Sequence, residues 1–220
     1  MITLKYNFLK GQEDRYKAKT TSTVRTKEKT GEEKSKKSDN VEMELVQKVT
    51  DINPDGSVSL LTIVDVGPPA RDGGKQHFYI KMTPYGKIIQ ASSTGMENAA
   101  SLPEHPVKIG DTWISETLLN MSNVKEPVNY KNTYTLKEFV IMGKYECALI
   151  LMLSERLNVI LNVPENPDSK ISQIIDSEGE IYFAYKEGKL IKSVSRTSTY
   201  AELDEYNIET QHTVETEIIQ

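Results

Sequence analysis

The stretch that decides the fold is Val41–Val66, VEMELVQKVTDINPDGSVSLLTIVDV. Apolar residues alternate with polar ones on both sides of a central Asn53–Gly56 segment. Such a period of two is typical of a strand with one dry face and one wet face. Because Pro54 presets φ and Gly56 supplies a positive φ, the central segment predicts a hairpin turn. We therefore expect an antiparallel pair of strands over 41–52 and 57–66.

The same alternation and the same glycine turns recur along the rest of the chain. Repeated turns between alternating segments favour a meander of long antiparallel strands. No repeat of fixed period is visible, which argues against a propeller or a solenoid. Ser177-Glu178-Gly179 is predicted as a further turn, and Glu146–Val163 as one long strand partly buried on both faces. The other predicted strands are Ile2–Leu9, Asp14–Lys27, Gln76–Met82, Lys87–Ser92, Asn129–Ile141, Glu180–Tyr185 and Leu190–Tyr200.

Two stretches interrupt this rhythm. Thr26–Asn40 contains no apolar residue, so it predicts a long, mobile hairpin loop. The segment 92–112 contains Pro103 and Pro106, and it predicts a crossover between an N-terminal and a C-terminal set of strands. We expect helix only as short pieces, around 93–105 and 164–172.

Length and composition limit the class of protein. The chain has 220 residues and a mass of 24.9 kDa, which suits a single domain over 1–220. Cys147 is the only cysteine, so an intramolecular disulfide and a cysteine-based zinc cluster are excluded. No apolar run is long enough to predict a transmembrane helix.

Charge is distributed unevenly between the two ends of the chain. Residues 1–40 hold eleven Lys and Arg against six Asp and Glu, whereas residues 201–220 hold six Asp and Glu and no Lys or Arg. The two ends could be neighbouring strands, where opposite charges stabilise a sheet, or the basic end could bind an anionic partner. Few aromatic residues accompany the basic ones, so we expect no nucleic acid partner.

Residues that could carry catalysis form no recognisable pattern. His77, His105 and His212 lack metal-ligand spacing, and Cys147 lies in a strand core pattern. No nucleophile elbow, phosphate loop or dinucleotide fingerprint is present. Asp55 and Asp111 occupy predicted turns, where aspartate bonds its local backbone. We therefore expect no enzyme activity, no metal and no cofactor; a hydrolase with an unrecognised site remains an alternative.

Aromatic residues are the remaining candidates for ligand contact. The first interpretation is structural, because aromatic rings commonly fill cores and form cross-strand pairs. We expect Trp113 in particular to be mainly buried and to anchor the crossover against the sheet. The second interpretation is that some of these rings line a ligand cavity. The ligand-binding candidates are Trp113, Tyr130, Tyr134, Tyr182 and Phe183.

Several segments resemble an uncharacterised bacterial family of all-β extracytoplasmic proteins that are regarded as lipoproteins. A Pro-Val-Lys-x-Gly-Asp-x-Trp segment at Pro106–Trp113 is the most specific of them. Their order along the chain is also similar to the half-barrel of the lipoprotein-carrier proteins, the lipoprotein localisation factor-like fold. The chain departs from those carriers in having no predicted long plug helix. The other segments are Tyr6–Gly11 (YNFLKG), the Thr/Ser-rich strand 17–26, Asn53–Leu60 (NPDGSVSL) and Gly179–Ser193 (GEIYFAYKEGKLIKS).

This resemblance implies a strongly curved antiparallel sheet or half-barrel around an apolar ligand cavity. It implies a non-enzymatic, envelope-associated binding module that holds an apolar or lipid-like ligand on the concave face of the sheet. The expected location is extracytoplasmic, with the signal peptide absent from this sequence, since the chain turns polar directly after Met1. A structural or protein-interaction module that uses a sheet edge or its charged surface is the alternative.

Overall fold

The computed structural model of the protein describes residues 1–66, 74–92, 100–119, 124, 128–163, 166–203 and 205–219. In this part of the chain there are strands and connecting segments and no helix. The strands are β1 (Glu13–Glu28), β2 (Glu33–Ile52), β3 (Val58–Val66), β4 (Lys75–Met82), β5 (Ile88–Ala91), β6 (Thr112–Leu119), β7 (Val128–Met142), β8 (Tyr145–Ser154), β9 (Leu157–Val163), β10 (Asn166–Ala184), β11 (Lys189–Glu202) and β12 (Tyr206–Ile219).

All twelve strands belong to one open antiparallel sheet, which confirms the predicted all-β class. The order is β5-β4-β3-β2-β1-β12-β11-β10-β8-β7-β6, and β9 pairs with the first half of β10. Two meanders, β1 to β5 and β6 to β12, join where β1 pairs with β12. The connection between β5 and β6 therefore runs from one end of the strand order to the other.

The hairpin predicted from Val41–Val66 is confirmed. β2 pairs with β3 from Met43 opposite Val66 to Ile52 opposite Val58. Gly56 has a φ of 78° in the turn, as the Asn-Pro-Asp-Gly sequence requires.

The loop predicted for Thr26–Asn40 is wrong. β1 continues to Glu28 and β2 begins at Glu33, so only a short turn separates them. Polar side chains pair across these strands: the Thr23 and Ser38 hydroxyls are 3.0 Å apart. Backbone hydrogen bonds between the strands and such cross-strand side-chain pairs stabilise β1 and β2 here without burial of apolar side chains.

Four other expectations need correction. Residues 100–105 contain no helix and 166–172 belong to β10; the rest of the predicted helical stretches, 93–99 and 164–165, lies outside the described residues. Ser177–Gly179 is strand rather than turn, since Gly179 lies opposite Ser195 in the middle of β10. The long strand predicted over Glu146–Val163 is interrupted between β8 and β9. Ile2–Leu9 forms no strand, and only an isolated bridge joins Ile2 to Val107.

The main core lies on one face of the sheet, here called the covered face. Leu136, Ile150 and Ile181 lie opposite one another on β7, β8 and β10 and are buried on this face. Leu4 from the N-terminal segment and Val107 from the crossover segment pack against them with no exposed surface. The two irregular segments thus supply the second layer that an apolar sheet face requires.

A second apolar cluster lies at the N-terminal meander. It contains Val49, Val58, Leu60, Ile80 and Met82. Tyr6 belongs to both clusters, because its ring stacks on Phe8 at 5.3 Å and meets Phe183 edge-on at 5.1 Å.

The opposite face of the long strands, here called the charged face, carries ion pairs between neighbouring strands. Lys27 of β1 bonds Glu209 of β12 at 2.7 Å. The interpretation of the oppositely charged chain ends as neighbouring strands is therefore confirmed. The other pairs on this face include Lys17 with Glu42, Lys48 with Glu13, Lys192 with Glu215, and Arg196 with Glu178.

Candidate functional site

The N-terminal segment, residues 1–9, belongs to no strand and shares its hydrogen bonds among separate parts of the sheet. Ile2 and Val107 exchange two backbone bonds of 2.8 Å. The Tyr6 N–H donates to the Pro84 carbonyl at 2.7 Å, and the Asn7 N–H donates to the Gly188 carbonyl at 2.9 Å. The segment is therefore held in place by the crossover, the β4–β5 turn and the β10–β11 turn.

A cleft of about 460 Å³ opens between this segment and the turns beside it. We call it the N-terminal cleft. Its residues come from the N-terminal segment, the β2–β3 hairpin and the β4–β5 turn. They are Lys5, Tyr6, Asn7, Phe8, Leu9, Ile52, Gly56, Val58, Pro84 and Tyr85.

Most of the side chains around the N-terminal cleft are apolar. Val58 is buried, and the stacked rings of Tyr6 and Phe8 stand beside it. Leu9 is 73% exposed and Ile52 is 43% exposed, although both are large apolar residues. Burial raises the pKa of the Tyr6 hydroxyl well above its ordinary value. The cleft thus combines a buried apolar side with an exposed apolar rim.

The acidic groups near the cleft are already partnered. Lys10 bonds the Asp51 carboxylate at 2.8 Å and lowers its pKa. Asp55 accepts bonds from the Ser57 hydroxyl and N–H, which lower its pKa, and Lys81 lies 3.7 Å away. Lys5 forms no ion pair with any residue that the structure describes. Counted over the described residues, the cleft therefore has one uncompensated positive charge in its lining.

Three of the predicted ligand-binding residues lie in the main core. Trp113, Tyr134 and Phe183 are buried. The Trp113 ring stacks on Tyr134 at 5.7 Å, and its Nε1–H donates to the Ser101 carbonyl at 2.8 Å. The predicted burial of Trp113 against the crossover is confirmed.

The other two predicted residues lie apart from that group. Tyr130 and Tyr182 are half-buried, and the Tyr182 hydroxyl donates to Glu180 at 3.1 Å. None of the five predicted residues lines the N-terminal cleft. Their contact with a ligand stays a prediction.

The residues of the N-terminal cleft were missed by the sequence reasoning. The sequence predicts Ile2–Leu9 as a strand and places none of the candidate ligand contacts in it. The signal that could have distinguished the cleft was the pair Leu9 and Ile52, apolar residues placed directly beside turn residues.

A second groove, of about 450 Å³, crosses four neighbouring strands, β8, β10, β11 and β12. Its lining is mostly polar and includes Asp176, Glu178 and Arg196. Arg156 holds Asp176 at 3.0 Å, and Arg196 lies 3.9 Å from Glu178. Because these charges partner one another and are exposed, the groove resembles a solvated sheet surface more than a ligand site.

Groups that could bind a metal ion do not assemble in the part of the chain that the structure describes. There, no group of three or more His, Cys, Asp or Glu side chains is placed to hold a metal ion. Cys147 is buried, and burial raises its pKa to about 11, so its thiol is protonated at neutral pH. Among the same described residues, no helix is long and apolar enough to cross a membrane.

No protein-family model matches the chain, and no curated protein sequence matches it.

Proposed function

We propose that this protein is a non-enzymatic binding module that holds an apolar or lipid-like small molecule, and that the N-terminal cleft is its binding site. The cleft carries this proposal, because its volume of about 460 Å³ and its mainly apolar lining suit a small ligand. Exposed Leu9 and Ile52 at its rim supply apolar surface that a ligand would cover.

The hydrogen bonds of the N-terminal segment support a strongly curved sheet, or half-barrel, with this cleft on its concave side. Tyr6 and Asn7 are consecutive residues, so their Cα atoms are about 3.8 Å apart. Yet Tyr6 bonds the β4–β5 turn and Asn7 bonds the β10–β11 turn. In a flat sheet β4 and β11 would be five strand spacings apart, about 24 Å. Bringing the two turns to one short segment favours curvature at this end of the sheet.

We further propose that the module works in the cell envelope, outside the cytoplasm. The basis for this location is the resemblance of Pro106–Trp113 and the other quoted segments to extracytoplasmic bacterial proteins.

A protein-interaction role is the second candidate, and the end strand β6 favours it. Within the described part of the chain, β6 pairs only with β7, so its outer edge could accept a strand from a partner. Ile114 on β6 is 56% exposed, and Leu153, two strands away in the same cross-strand row, is 62% exposed.

Binding of a neutral fluorescent probe tests the first candidate. N-phenyl-1-naphthylamine should gain fluorescence on binding to the wild-type protein. Ile52→Ser should weaken this binding several-fold, because it removes apolar contact at the rim. Ile89→Ser is the matched control, since Ile89 is similarly exposed on β5 but does not line the cleft.

The outcomes separate the two candidates. Absence of probe binding, or equal losses in both variants, would contradict a site at the N-terminal cleft. If Ile114→Lys abolishes binding of a partner protein but leaves probe binding intact, the interaction role is favoured.

A further inference from the structure

We propose that the ligand of the N-terminal cleft is a single-chain amphiphile with one anionic head group, and that Lys5 binds this group. This inference rests on the proposed function, because it assigns the ligand class for the same cleft.

The arrangement of charges around the cleft is the first argument. Among the residues that the structure describes, Lys5 is the only charged one in the cleft lining. Two carboxylates directly precede lining residues in the sequence, and both are partnered: Asp51 by Lys10, and Asp55 by Ser57 and, at 3.7 Å, by Lys81. Within the part of the chain that the structure describes, Lys5 has no carboxylate within ion-pair distance. An anion bound in the cleft would therefore meet a free ammonium group and no free carboxylate.

The position of Lys5 in the chain is the second argument. Its neighbour Leu4 is fully buried in the core, whereas Lys5 itself is exposed. Leu4 and the bonds of Tyr6 and Asn7 fix the backbone on both sides of Lys5. Lys5 is therefore an exposed residue of the cleft lining on a backbone that is fixed on both sides of it.

The apolar lining is the third argument, because it defines the other end of the ligand. Contacts for a hydrocarbon chain are offered by Phe8, Leu9, Ile52 and Val58. These side chains have no polar groups that could bind a sugar or a nucleotide. One cation at the rim of an apolar cleft matches a molecule that carries its charge at one end. A charge-assisted bond to Lys5 then adds head-group selectivity.

Three amphiphiles of the same chain length provide the test. Dodecanoate, dodecanol and dodecyltrimethylammonium, each below its micelle concentration, should displace N-phenyl-1-naphthylamine from the wild-type protein. Dodecanoate should bind about three- to tenfold more tightly than dodecanol, as expected for a partly solvated charge pair. The cationic amphiphile should bind most weakly, and the preference for dodecanoate should shrink at high salt.

Lys5→Gln should abolish the preference for dodecanoate, so that dodecanoate and dodecanol bind this variant with similar affinities. Lys87→Gln is the matched control: it removes the same charge from the adjoining β4–β5 turn, and Lys87 does not line the cleft. This control should retain the wild-type preference.

The inference is overturned if dodecanoate and dodecanol bind equally well to the wild type. It is also overturned if the preference survives Lys5→Gln or disappears equally in Lys87→Gln. In those cases the proposed function still stands, because dodecanol and the neutral probe bind. If neither the probe nor any of the three amphiphiles binds, the proposed function itself fails.

Discussion

Two regions of the same sheet are built by different physical rules. At the core end, Leu136, Ile150 and Phe183 have no exposed surface. In the arm, which is the hairpin formed by 20–28 of β1 and 33–41 of β2, every residue of the β2 side is exposed. Both regions are nevertheless antiparallel strand, and each includes at least one register shift, as between Thr26 and Lys27 in the arm. A strand can therefore continue well beyond the core when its neighbours provide a ladder and matching polar side chains.

The difference also concerns energy. Burial of large apolar side chains contributes roughly 1.5–3 kcal/mol per residue at the core end. Cross-strand polar pairs in the arm contribute only about 0.2–1 kcal/mol each. The core end should therefore decide whether the protein folds, whereas the arm should tolerate substitution.

The largest effect is expected from Phe183→Ala. It removes a fully buried ring that meets Tyr6 edge-on, so the free energy of unfolding should fall by about 3–5 kcal/mol. Phe139→Ala is the matched control, because Phe139 is 42% exposed; its loss should be less than half as large. Urea unfolding of both variants measures the difference, and equal losses would break the comparison between core and surface.

A smaller effect is expected from Gly86→Ala in the β4–β5 turn. Gly86 has a φ of 82°, and an added Cβ would overlap the carbonyl oxygen of Ala100. Gly56 has a similar φ of 78° but open space around it, so Gly56→Ala should cost only the backbone strain of about 1–2 kcal/mol. Thermal unfolding should place Gly86→Ala clearly below Gly56→Ala. Similar melting temperatures for the two variants would contradict the close contact between Gly86 and the Ala100 carbonyl oxygen.

Alkaline pH should lower the stability of the protein through the buried tyrosines. Burial raises the pKa of Tyr134 to about 12 and raises the pKa values of Tyr6 and Tyr16 as well. Between pH 10 and 12 the unfolded chain loses tyrosine protons that the folded chain keeps, so the free energy of unfolding falls as pH rises. Tyr134→Phe should flatten this fall. A pH-independent unfolding midpoint from pH 9 to 11.5 in urea would contradict the burial of these hydroxyls.

The smallest effect is expected in the arm. Thr23→Ala removes a hydroxyl that lies 3.0 Å from Ser38 on the exposed side of the sheet, and it should cost about 0.2–1 kcal/mol. Hydrogen exchange should still show protected amides in 20–26, since β1 pairs with both β2 and β12. Rapid amide exchange throughout 20–26 would contradict a stable strand and would support the mobile loop that the composition predicted.

Local sequence signals predicted a large part of the sheet. Alternation around Asn53–Gly56 identified the β2–β3 hairpin, and the single tryptophan was correctly expected in the core. The hairpin prediction succeeded because it depends on strands that have a dry and a wet side, and the tryptophan prediction succeeded because this ring is the largest apolar group in the chain.

The arm and the candidate site could not be derived in the same way. The arm has no apolar residue to reveal it over 26–40, and its strands depend on partners as distant as Glu209. Tyr6 alternates as a strand residue would, but its hydrogen bond goes to Pro84 and its ring contacts Phe183. Contacts between residues so far apart in the sequence do not change the local pattern of apolar and polar residues. The N-terminal cleft could therefore be recognised only in the three-dimensional structure.

The pairing of β1 with β12 has a consequence for how the chain is assembled during synthesis. Of the twelve strands, β1 leaves the ribosome first and β12 last, yet they are neighbours in the middle of the sheet. Until β12 emerges, both halves present an open strand edge, which is a template for pairing with another chain. The opposite charges of these two strands, as in Lys27 and Glu209, would then favour the correct late partner over a second copy of either half, because like-charged strands repel.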